Sequence, residues 1–410
     1  MQSFQRFGLG ILLSIGLLRP LHAQVPDYLK QPYWDLVKLN NLRQYPAAIL
    51  QGKFLVAQEP KFPFAYGQLA LAFEKAEQAA LGLAYFDSLR QQRLDNPYVY
   101  YAIGMLEKGR KNFEQALGNL KMCIKLDPKY APAYLQLTNV YNEQKDLETP
   151  ASYFRALLQS DSLNAAAHYG LGCVYLFKKE WPKGAAAFAR SLELDRELIH
   201  AYYLHGITYV NQRNFQKALE IWDKGKDVAA RLNDIEWQSK MTGNVGNAYH
   251  DLGQSKQSVS YREEALKLAR ALGDRRQEMV HLSNLSTSDN NLGQYDKAME
   301  RLLLALEIAK EIDPAYQENI FWNLSAICNH KNDYKSSVKY ATSALKMAVA
   351  RGDSTAVAGH CINIGVAHAE QANYTLALHN YERALAIKKR LTDKRGVGFL
   401  LGNITAVRLS

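Results

Sequence analysis

From residue 63 onward, apolar and small side chains recur at helical spacing, and the phase of that pattern resets at a fixed interval. The clearest marker is a trio of asparagine, aliphatic and small residue. NVG at 244–246 returns as NLS at 284–286, NLS at 323–325, NIG at 363–365 and NIT at 403–405. Followed in both directions, the small member becomes Ala70, Gly104, Thr138, Gly172, Gly206, Gly246, Ser286, Ser325, Gly365 and Thr405. These markers lie 34, 34, 34, 34, 40, 40, 39, 40 and 40 residues apart. Twelve residues after a marker comes a second small residue (Gly82, Ala116, Gly184, Ala218, Ser258, Ala298, Ser337, Ala377), with Pro150 the exception. Four positions further on is a bulky one, as in Phe86, Leu120, Phe154, Phe188, Trp222, Leu302 and Tyr381.

This pattern predicts two antiparallel helices per repeat, A and B, meeting through small residues. Glycine inside a helix costs roughly 1 kcal/mol relative to alanine, so its return at one phase implies close approach of two backbones. Turn residues divide the chain the same way. Gly253 and Gly293 fall between A and B, while Asp127-Pro128, Gly273-Asp274, Asp313-Pro314 and Gly352-Asp353 fall between repeats. Pro150 stands in a first helical turn, where proline is tolerated, and predicts a local distortion without a break.

The stretch YYAIGMLEKGRKNFEQALGNLKMCIKLDP, residues 100–128, carries the aromatic, glycine, alanine and closing proline of the tetratricopeptide repeat, and the chain resembles that family over residues 63 to about 409. Glu107 replaces the family's usual aromatic. The resemblance implies an all-α fold, a right-handed α-solenoid of antiparallel helix pairs whose concave wall is lined by helix A. Residues 28–62 read as a degenerate first repeat, 63–230 as five repeats of the 34-residue type, 231–396 as four of the 40-residue type, and 397–410 as a capping helix. The longer unit is similar to those of kinesin light chain and of bacterial peptide-sensing regulators.

In this family the A-helix positions three before the marker and one and four after it face the groove. In the shorter repeats these include Tyr101, Met105 and Lys108; Leu135, Asn139 and Asn142; Tyr169, Cys173 and Leu176; Tyr203, Ile207 and Val210. That wall is expected to be apolar and aromatic. The longer repeats place Gly243, Asn247 and His250; Ser283, Thr287 and Asn290; Trp322, Ala326 and Asn329; Ile362, Val366 and Ala369 there. Asn244, Asn284, Asn323, Asn363 and Asn403, at the edge of the same face, are expected to form a ladder. An asparagine amide offers one donor group and one acceptor, matching a peptide unit of an extended ligand. The alternative is that each amide bonds within its own helix or to a neighbouring repeat. Tyr101, Tyr169, Tyr203 and Trp322 complete the expected peptide contacts, with packing between adjacent A helices as the competing use of the rings.

Composition narrows the function. With 48% hydrophobic and 22% charged residues the chain has ample core material and is not of the disordered class. Net charge is +10, or +8 without Arg6 and Arg19, but basic residues are scattered on solvent faces instead of forming the stripe that nucleic acid requires. Cys123, Cys173, Cys328 and Cys361 lie far apart and read as small buried hydrophobes, Cys173 with a possible outlook on the groove. No pair of histidines is four apart, so no metal is expected, and no cofactor either. MQSFQRFGLGILLSIGLLRPLHAQ has an early arginine, an apolar run from Phe7 to Leu18 and a cut site after Ala23, the layout of a secretory signal peptide; the competing reading is an uncleaved helix that caps the fold. Export, to a bacterial periplasm or cell envelope, is therefore expected, and no later segment is apolar for long enough to span a membrane.

Hydrolase, zinc-protease, phosphate-loop and dinucleotide signatures are missing, so catalysis is not expected. The lysine that chaperone-tail receptors of this family carry three before the marker is also missing. The sequence therefore points to an exported, non-catalytic scaffold holding a protein or peptide segment. A ligand-sensing module of a signalling system, its output domain carried elsewhere, is the alternative.

Overall fold

The structure, a computed structural model, describes residues 27–92 and 95–410, so the expected signal peptide lies outside the described residues. Those residues contain α-helices, one short 3-10 turn and no strand. The helices follow one another in pairs: α1 Asp27–Asn41 with α2 Tyr45–Gln58, α3 Pro63–Lys75 with α4 Ala79–Gln92, α5 Pro97–Gly109 with α6 Phe113–Leu126, and α7 Ala131–Glu143 with α8 Glu148–Ser160. Next come α9 Ala165–Phe177 with α10 Trp181–Leu194, α11 Ile199–Asn211 with α12 Phe215–Arg231, and α13 Ile235–Asp251 with α14 Ser255–Ala271. The chain ends with α15 Arg275–Asn291 and α16 Tyr295–Ile312, α17 Gln317–His330 and α18 Tyr334–Arg351, α19 Ser354–Glu370 and α20 Tyr374–Arg390, and the single helix α21 Lys394–Leu409. Within each unit successive helices pack on one another, as α5 does on α6 and α6 on α7, or α15 on α16 and α16 on α17, which is the arrangement of a tetratricopeptide-type α-solenoid. Among the described residues two compact units result: 27–252 with 267–274, and 253–266 with 275–410.

The change of period has a local cause. In the shorter repeats helix A has 13 residues and helix B ends on an extended residue such as Asp127, Asp161 or Asp195, whose carboxylate accepts from the backbone N–H two residues on. From α12 on, most helices run to 17 or 18 residues, and several B helices turn into the next A helix through a left-handed residue: Asn233, Gly273, Gly352 or Thr392. Those are the added residues of the 40-residue period. Pro150 sits buried in the first turn of α8 and does not interrupt it.

Within a pair, the small marker lets a bulky residue of helix B lie against helix A. At Gly206 a Cβ would stand 2.2 Å from the Trp222 Nε1, and that indole donates to the Tyr203 carbonyl at 3.0 Å. Between pairs, the first unit uses a polar clamp that the small-residue pattern does not reveal. Tyr66 donates to the Pro60 carbonyl at 2.8 Å, and the Asn96 amide donates to that carbonyl at 2.8 Å and to the Tyr66 hydroxyl at 2.9 Å. Sixty-eight residues later Tyr134, Pro128 and Asn164 repeat the arrangement. Each clamp satisfies a turn carbonyl and an asparagine amide that burial would otherwise leave costly.

Candidate binding face

The A helices set the register of every candidate residue, because positions three and four apart share one helical face. In the first unit that face is largely consumed by packing. Tyr101 and Tyr169 are 0% exposed and Tyr203 4%. Tyr101 packs edge-on against Tyr130 with ring centroids 5.0 Å apart, Tyr169 lies against Phe188 at 5.8 Å, and Tyr203 meets Trp237 edge-on at 5.3 Å. Leu135, Cys173 and Leu176 are buried as well, and Asn139 is 6% exposed. The expected aromatic wall is thus a seam between consecutive pairs, and Cys173 has no outlook. The reason is that a residue at the N-terminal end of the next A helix, or just before it, covers the ring: Tyr130, His200 and Trp237 all do so. Burial also raises the phenol pKa of Tyr203, while Lys240 and a hydrogen bond with Asn244 oppose the rise.

That bond decides the fate of the first rung. Asn244 is half-buried and committed to Tyr203. Asn247 and Asn284 are likewise half-buried, each engaged within the chain, and the Asn284 carbonyl accepts from the Arg262 Nη1 at 2.6 Å. Asn323, Asn363 and Asn403 differ. They too are half-buried, yet their side chains make no hydrogen bond among the described residues. All three belong to the second unit, on α17, α19 and α21.

Around them the face carries no formal charge. The positions three and two before the marker and one and four after it hold Ser283, Asn284, Thr287 and Asn290 on α15; Trp322, Asn323, Ala326 and Asn329 on α17; and Ile362, Asn363, Val366 and Ala369 on α19. Every one is half-buried, so the face is partly open along its length. Charge is held behind it. Glu318, 4% exposed, receives Arg351 in a two-point pair at 2.5 and 3.1 Å, and its Oε1 stands 3.3 Å from the His360 Nε2. That contact places the ring proton on Nε2 and leaves the Nδ1 a buried acceptor without a partner. Burial lowers the His360 pKa, partly offset by Glu318.

Trp322 is the one aromatic of the expected set that remains half-exposed. Its indole meets His360 edge-on with centroids 4.8 Å apart. The outer edge of the same ring crosses Gly359, where a Cβ would come within 2.8 Å of it. The site thus consists of one buttressed indole and three uncommitted amides on an uncharged face.

A second polar centre lies behind α15 and was not legible as a site. Arg262 occupies the position where most repeats carry a bulky apolar residue, is 3% exposed, and donates to the Ser288 hydroxyl at 2.6 Å. Next to it His281 is buried with both ring nitrogens unpartnered, and burial pulls its pKa down to about 4. Asp289, fully buried, is held by the Arg301 Nε at 2.8 Å. Arg262 repels a proton from His281, whereas Asp289, two turns further along α15, belongs to a separate ion pair with Arg301.

All four cysteines are buried and free. Among the described residues no group of histidine, cysteine and carboxylate side chains could hold a metal ion, and no helix is long and apolar enough to cross a membrane.

Comparison with family sequence profiles agrees with this architecture. Residues 237–311 and 357–393 match two sequence profiles described as tetratricopeptide repeat. No curated protein sequence matches the chain. Among solved structures the chain is similar to BtubC (BKLC) from P. vanneervenii, at 17% identity and a TM-score of 0.45, over 50% of this chain and 90% of that one. Repeats of the matched kind are generally non-catalytic and bind protein partners.

Proposed function

From a chain that carries tetratricopeptide repeats, we propose an extracytoplasmic, non-catalytic scaffold that holds a protein or peptide segment along the A-helix face of its second unit. The observation that carries this reading is the set of three uncommitted, half-exposed amides, Asn323, Asn363 and Asn403, repeated at one register on successive A helices. Each can give a hydrogen bond and take one, the two functions a peptide unit presents. Packed helices lie about 8–10 Å apart and an extended chain advances about 3.3 Å per residue, so one amide meets roughly every third residue of a strand crossing the helices. The export half of the reading rests on the apolar run Phe7–Leu18 and its following cut site.

Panning a library of random twelve-residue peptides on the purified chain tests the binding. Peptides are expected to be retained, and the triple variant Asn323→Ala, Asn363→Ala, Asn403→Ala to bind them at least about tenfold more weakly with unchanged circular dichroism, at about 1 kcal/mol per lost bond. Equal retention by both proteins refutes the role of the amides. Recovery of the native protein with Met1 intact, instead of a mature chain starting at Gln24, refutes the cleaved export signal.

A further inference from the structure

Resting on the peptide-binding reading above, we propose that the face is selective for an uncharged segment carrying one flat apolar side chain, a proline or an aromatic ring, seated on Trp322. The indole is held in place from behind and along its edge. His360 meets it edge-on, Glu318 holds His360, and Arg351 holds Glu318, so the ring rests on a chain of side chains and is not free to collapse into the wall. Gly359 leaves the space the indole edge occupies; any larger residue would push the ring outward. A half-exposed tryptophan fixed in this way loses little rotamer freedom when a ligand covers it, which is the property that makes buttressed aromatics strong anchors.

Its surroundings specify the partner. The Trp322 Nε1–H makes no hydrogen bond among the described residues and can donate to a peptide carbonyl while the ring takes the side chain. Ala326 on the same helix, and Ile362 and Val366 on α19, are the half-buried apolar residues of this stretch of the face. Asn323 and Asn363 stand beside them with free amides. Since none of the sixteen positions in the face register of α15, α17, α19 and α21 is charged, a carboxylate or ammonium of the ligand would lose its hydration without gaining an opposite charge. That penalty rejects acidic and basic segments and favours proline, tyrosine, phenylalanine or tryptophan at the ring.

Peptides recovered by panning the full chain on the random twelve-residue library supply the probes. Clones are expected to share a proline or aromatic position and to carry few charges. Replacing that position by alanine is expected to weaken binding to the wild type about tenfold or more, and to change nothing in Trp322→Ala. Trp322→Phe is expected to keep part of the affinity, and the emission difference between wild type and this variant isolates the Trp322 signal, which is expected to shift on binding. Affinity is expected to change less than about twofold between 50 mM and 500 mM salt. Recovered peptides rich in Asp, Glu, Lys or Arg, or bound equally by wild type and Trp322→Ala, overturn this proposal and leave the binding function standing. A library that yields no binder overturns both. A Trp322 emission that shifts with the concentration of the protein itself would place a second copy on the ring and also overturn it.

Discussion

Gly206→Ala isolates the reason for the small marker. The added methyl would lie 2.2 Å from the Nε1, 2.3 Å from the Cε2 and 2.7 Å from the Cδ1 of Trp222. Trp222 is 1% exposed and tied to the Tyr203 carbonyl, so it cannot withdraw without breaking its hydrogen bond or shifting its neighbours. Overpacking of this kind costs about 1–3 kcal/mol, and loss of the indole bond about 0.5–1.5 kcal/mol. Against this, alanine gains about 1 kcal/mol in helix propensity over glycine. The balance is a destabilisation of about 0.5–3.5 kcal/mol. Gly118 provides the opposite case, inside a B helix. It is exposed on α6, and a Cβ there would meet nothing within 4 Å, so Gly118→Ala is expected to stabilise by up to about 1 kcal/mol. Urea unfolding followed by ellipticity at 222 nm and by tryptophan emission measures both midpoints, with an unchanged slope as the sign that only stability has moved. Should Gly206→Ala prove as stable as the wild type, or the two variants shift in the same direction, the packing account of the marker would be wrong.

Two further expectations concern the interior. His281 is neutral in the fold because burial depresses its pKa to about 4, with the buried Arg262 adding repulsion, whereas the unfolded chain titrates near 6.5. The unfolded state therefore binds the extra proton first. The stability His281 contributes is complete above about pH 6.5 and is lost as pH falls towards 4, on the order of 3 kcal/mol in all. Unfolding midpoints measured from pH 7 to pH 4 are expected to fall less steeply in His281→Leu; identical slopes would refute the assignment. Asn96→Ala removes the shared donor of the first clamp and is expected to cost about 1–2 kcal/mol, seen as a lower urea midpoint and as faster amide exchange at the start of α5, with Asn164→Ala giving the smaller loss that its longer bonds imply.

The repeat was legible because its marker depends on size alone: wherever two backbones must approach, only glycine, alanine, serine or threonine fits, and that requirement leaves an imprint in a single chain. The tyrosines show where such reading stops. Position on one helix indicates which way Tyr101 or Tyr203 leaves the backbone, but their exposure is set by what the following repeat lays over them, and Tyr130 and Trp237 lie 29 and 34 residues further on. Trp322 has the same register and stays half-open. The amides divide for a similar reason. Asn244 meets a phenol, while Asn323 and Asn363 follow helices that offer them none. Arg262 was visible only as a break in the run of bulky residues, since nothing in its own neighbourhood announces the serine on the next A helix that receives it.

The longer helices of the second unit change what each repeat can hold. A 13-residue helix measures about 20 Å and a 17-residue helix about 26 Å, so α15 and α19 each have one turn more than α5 or α9. Under the proposed function, lengthening adds breadth to a shelf without adding another storey, and a guest chain would have room to lie obliquely or to bend across it.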